Sequence, residues 1–152
     1  MELLERISQS LTTKGRLLKE LAALTGRMQA LAERLERHGA VCVYPQMKVK
    51  IEEVAQALKT ELTTLNSILS SNNVAVRPAQ RPAHEGINNW ERISGDLVAL
   101  GRLNVDLNQQ AVGWLAVDAA ISERMRTIVN EQVPLIAALQ ELAARSDPQA
   151  ID

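Results

Sequence analysis

Apolar residues recur every seven positions through most of this chain. Near the N-terminus one row runs Leu4, Leu11, Leu18, Thr25, Ala32, and its companion runs Ile7, Lys14, Leu21, Met28, Leu35. Two apolar positions per seven place a stripe along one helix face, so the pattern predicts an amphipathic helix over Glu2 to His38. Gly15 and Gly26 each cost about 1 kcal/mol relative to Ala, which a helix of this length survives. Gly39, directly after Arg37 and His38, reads as a stop. The short apolar run Ala40 to Pro45 then reads as an extended connector folded against the bundle. A second helix follows from Gln46 to Asn72, with Ile51, Val54, Leu58, Leu62, Leu65 and Leu69 on one face. A connector this short makes the two helices antiparallel neighbours.

The periodicity stops at Asn72 and resumes at Trp90. The intervening segment holds Pro78, Pro82, Gly86 and four asparagines, the composition of a linker. At about 3.3 Å per residue it can travel the length of a bundle as a crossover. From Ile93 the seven-residue row returns as Ile93, Leu100, Leu107, Trp114, Ile121, Ile128, Leu135, Leu142, beside Leu97, Asn104, Ala111, Asp118, Met125, Gln132, Leu139. Its unbroken phase favours one long helix over 90–145, kinked at Pro134 where a helical hydrogen bond is lost. A turn at Asp118 or Ser122, both good N-caps, would give a second hairpin and a four-helix bundle instead. Asn104, Asp118 and Gln132 interrupt the seam fourteen residues apart. They either fix register or a partner, or mark a bend or wet stretch.

The expected fold is therefore all-α, one domain over 1–152: a hairpin (2–72), a crossover (73–89) and a C-terminal helical part (90–145). Composition narrows this further. Aromatics are 2% of the chain and Phe is absent, so the core must come from Leu, Ile, Val and Ala, which suits helix-on-helix packing. Seventeen basic and eighteen acidic residues are interspersed, and the absence of a sustained basic stretch argues against a nucleic-acid partner. Nothing approaches the roughly 18 consecutive apolar residues of a membrane span, so no membrane insertion is expected. Met1 leads into Glu2 and Glu5 rather than a signal peptide, and the single Cys42 suits a reducing compartment. These features predict a cytoplasmic protein.

Candidate chemistry is sparse. His38 ends a helix, where it can cap carbonyls, and His84 lies in the linker; both read as surface or capping residues. No spacing of Cys and His suggests a metal site, and no nucleophile elbow or phosphate loop occurs, so neither catalytic residues nor a cofactor are expected. Cys42, among apolar neighbours, reads as a buried, inert thiol. Trp114 falls in the core row, and Trp90 staples the linker to the bundle.

Two resemblances bear on function. Through Trp90, Ile93, Leu100, Leu103, Asn104, Asn108 and Gly113-Trp114-Leu115, about 30 of the 152 residues, the chain resembles flagellar export chaperones of the FlgN type. These are small cytosolic helical proteins that hold flagellar subunits before secretion, and the resemblance implies that the third helix carries the partner surface. The stretch Ile128 to Leu139, with the order of two helices, crossover and more helix, is similar to ferritin-like bundles. Pro134 stands where that family has its histidine, so this resemblance implies a version lacking the metal centre, with Glu53, Glu61 and Glu131 as remaining carboxylates. The leading expectation is a non-enzymatic adaptor or export chaperone, binding a protein partner or a second copy through Trp114, Ile121, Met125, Ile128 and Leu135. A ferritin-like bundle and a structural subunit of a homo-oligomer are the alternatives.

Overall fold

The computed structural model describes residues 2–82 and 84–150, with residues 9 and 10 described in backbone only. It contains four long helices: α1 (Glu2–Val41), α2 (Pro45–Ser71), α3 (Asn89–Trp114) and α4 (Ala119–Arg145). Each of the pairs α1/α2, α1/α3, α3/α4 and α2/α4 is in contact, so α1 and α4 lie on one diagonal and α2 and α3 on the other. No helix among the described residues is long and apolar enough to cross a membrane.

Gly39 does not stop α1. The helix runs two residues further, and a Cβ at Gly39 would lie 3.1 Å from Glu52 Cγ, so this glycine marks the close approach of α1 to α2. The connector shrinks accordingly to Cys42, Val43 and Tyr44, and Pro45 opens α2, where its missing N–H is no loss. The α2 end is closed by Asn73 in the left-handed region (φ 56°). The Val74 and Asn73 amides donate to Leu69 and Ser70 carbonyls, the paired bonds of a Schellman turn.

From there the chain returns along α1 without helix. The Arg77 amide donates to the Ala22 carbonyl at 3.1 Å, and a Cβ at Gly26 would sit 1.8 Å from the Arg77 carbonyl oxygen. Gly26 is thus the seat on which the crossover lies, which explains a glycine in mid-helix. The crossover ends beside the C-terminus of α1, so α3 starts there and runs antiparallel to α1.

The expected single kinked helix over 90–145 is incorrect. The helix breaks after Trp114, and Asp118 Oδ1 accepts from the amides of Ala120 (3.1 Å) and Ile121 (3.3 Å) to cap α4. The heptad phase misled because a turn of four residues, 115–118, lets α4 resume the same register. Pro134 lies inside α4, which continues through it. The result is the four-helix arrangement with one long crossover.

The core is aliphatic, centred on Leu21, Met28, Leu35, Leu58, Leu65, Leu100 and Leu107, with fully buried Trp114 as its largest side chain. Leu18, Leu21, Thr25, Met28, Ala32 and Leu35 of the α1 rows are all buried, whereas Leu3, Leu4, Ile7 and Leu11 are exposed. α1, with 40 residues against 26 or 27 in the others, overruns its partners.

Candidate interaction surfaces

Two buried polar clusters tie the helices together. At the α1 C-terminal end, Asp96 of α3 accepts from Arg34 Nε at 2.7 Å and lies 2.5 Å from His38 Nδ1. His38 Nε2 is 3.3 Å from Glu85, the crossover residue that also pairs with Arg37. The hydrogen bond and charge of Arg37 hold the Glu85 carboxyl below its ordinary range, against the opposing effect of burial. His38, which reads from the sequence as a surface or capping residue, is buried, because its partners come from segments 47 and 58 residues later.

Midway along the bundle the second cluster has no cation paired with its carboxylate among the described residues. Asn104 Nδ2 donates to Gln132 Oε1 (3.1 Å) and to the Val129 carbonyl (3.0 Å), and Gln132 Nε2 donates to Glu61 Oε1 at 2.9 Å. Burial pushes the Glu61 carboxyl up to about 7; the bond from Gln132 opposes this and the nearby Glu131 adds to it. Asn104 and Gln132, the polar interruptions of the seam, thus bond to each other across α3 and α4.

The strip expected to bind a partner falls largely inside the molecule. Trp114, Met125 and Ile128 are buried, and Ile121 and Leu135 are half-buried against the core. Trp114 Nε1 donates to Gln110 Oε1 at 2.9 Å, and Gln110 in turn donates to Glu20, which locks α3 to α1. Of the three carboxylates singled out, Glu61 and Glu131 border one recess between α2 and α4, while Glu53 is exposed and paired with Lys50. Among the described residues no three His, Cys, Asp or Glu side chains gather as metal ligands. His84 is exposed, and Cys42 is buried with its Sγ 3.7 Å from the Tyr44 carbonyl.

The concave apolar surface lies elsewhere, between the start of α2 and the end of α4. Tyr44, Pro45, Met47, Val49 and Leu142 line a groove of about 950 Å³, bordered by Lys50, Glu53, Arg145 and Asp147. Tyr44 is 44% exposed and Val49 52%. Val41, Val43, Ile87 and Trp90 add exposed apolar surface at the same end of the bundle. The groove's volume lies within the range of ligand-binding clefts. From the sequence Ala40 to Pro45 reads only as a connector folded against the bundle, and Leu142 lies almost a hundred residues later. On the outer face of α3, Val98, Val105 and Val112 form a second exposed row at seven-residue spacing.

No protein-family model matches the chain, and neither a curated protein nor a solved structure is found to be similar to it.

Proposed function

We propose that this chain is a non-enzymatic, cytoplasmic adaptor or chaperone that holds a segment of a partner protein in the groove between α2 and α4. The observation that carries the reading is a solvent-facing apolar groove bordered by charge at the end of an otherwise well-packed bundle. An amphipathic helix laid into such a groove buries its apolar face and pairs its flanking charges with the rim. The groove uses the C-terminal end of α4, so the reading keeps the last helix as a binding element while moving the contact to its last turns, where largely buried Leu142 forms part of the groove wall and Arg145 its border. The resemblance to FlgN-type export chaperones supports the same class of function but implies α3, where the valine row offers a second surface.

The test is affinity capture of tagged protein from its native lysate, followed by mass spectrometry. An abundant partner is expected, lost when Tyr44→Glu and Val49→Lys are combined in a variant of unchanged helicity. Loss with Val105→Lys instead would transfer the site to α3. Recovery of the chain with only itself would defeat the adaptor reading in favour of a structural subunit. Near-stoichiometric iron or manganese in purified protein would favour the ferritin-like reading through Glu61 and Glu131.

A further inference from the structure

Five of the chain's twelve arginines, and none of its five lysines, line a single cleft of about 290 Å³. Arg27, Arg34 and Arg37 come from one face of α1, Arg81 from the crossover and Arg102 from α3. Leu31, Ala99 and Leu103 provide an apolar floor. We propose that this cleft binds a small oxyanion, a phosphate or carboxylate group carried on a compact apolar body.

Most of these arginines are fixed without being used up. Arg27 Nη1 is 2.8 Å from Asp106, Arg34 donates to Asp96 and to the Gly95 carbonyl, and Arg37 and Arg81 share Glu85. Arg34 and Arg37 engage these partners through Nε and Nη2, so the Nη1 of each has no partner among the described residues. Arg102 lines the cleft, is exposed and has no carboxylate partner among the described residues. Counting Glu33 at the rim, five guanidinia meet four carboxylates, in a chain whose net charge is -1.

A lock between α1 and the crossover requires only the paired arginines; the unpaired one and the spare donors point to a ligand. Guanidinium forks match the two-oxygen edge of phosphate and carboxylate, and forks already held by carboxylates lose little freedom on binding. The volume lies at the small end of ligand sites, which fits one anionic group and a compact body rather than a polymer.

The probes are phenyl phosphate, 3-phenylpropionate, inorganic phosphate and neutral benzyl alcohol, titrated calorimetrically at low salt into the full chain. One of the two aromatic anions is expected to bind one to one, which identifies phosphate or carboxylate as the group, and benzyl alcohol is expected not to bind. Arg102→Gln should weaken that binding by about tenfold or more, the cost of one charge-assisted contact. Ala99→Leu should weaken it by filling the floor with every charge kept. Failure of both anions to bind, or equal affinity in Arg102→Gln, would overturn the proposal. Inorganic phosphate binding as tightly as phenyl phosphate would overturn the apolar half of it.

Discussion

The two buried polar clusters solve the same problem in opposite ways. Around Asp96 and Glu85 the carboxylates meet Arg34, Arg37 and His38, and the Arg37 guanidinium favours the ionised form of Glu85 in place of the lost water. Around Glu61 the partners are amides, and the carboxyl answers burial by holding its proton until about pH 7. A buried carboxylate with a guanidinium beside it is a charged fastener; one with only Gln and Asn beside it is a nearly neutral hydrogen-bonding group. The first kind joins α1, the crossover and α3, whose mutual placement no continuous helix dictates. The second kind joins α2, α3 and α4 at mid-bundle, where apolar packing already sets the distances.

Removing Asp96 should have the largest effect. Asp96→Ala leaves buried His38 without its hydrogen-bond partner and partly buried Arg34 without its carboxylate, and urea unfolding at pH 7 should show a loss of about 3 kcal/mol. The pH dependence of Glu61 comes next. Its folded-state value lies above the ordinary 4.5, so the folded chain holds the proton more tightly than the unfolded one. The stability this gives is fully present below about pH 4.5 and disappears as pH rises through about 7. Unfolding titrations should therefore show up to about 3 kcal/mol lost between pH 5 and 8, and Glu61→Gln should flatten that profile.

Glu85 carries the opposite sign. Its folded-state value lies below the ordinary one, so its contribution is present above pH 4.5 and lost on acidification through its folded-state value. Glu85→Gln should cost about 1 kcal/mol at neutral pH, discounted because Arg37 is partly solvated. It should also raise hydrogen exchange in residues 77–86, as the crossover lifts from α1. The smallest effect belongs to the joint replacement of Glu61, Gln132 and Asn104 by leucines. Because no cation is stranded, thermal unfolding at about pH 4.5, where folded Glu61 keeps its proton, should change by no more than about 1 kcal/mol.

The apolar rows made most of the fold legible, since they report which face of each helix is buried. They did not report the turn at 115–118, because a break that preserves register leaves no mark on a seven-residue pattern. Asp118 carried the signal in its other property, as an N-cap. Asn104 and Gln132 stood out as polar residues in the seam, but their bond to one another depends on α3 and α4 being antiparallel. His38 had no local sign of burial, since Glu85 and Asp96 reach it only once the crossover is laid down. The groove and the arginine cleft were illegible for the same reason. Each assembles side chains from segments distant in sequence, where spacing along one helix carries no information.

The overhang of α1 has a consequence for helix–coil equilibrium. Nucleation, the costly step for an isolated helix, is already accomplished by the packed part beyond Leu17, so each overhanging residue adds only a propagation step. Ordering there is graded instead of all-or-none. The exposed turns of α1 should fray like the loose strands of a rope, while the spliced portion stays tight.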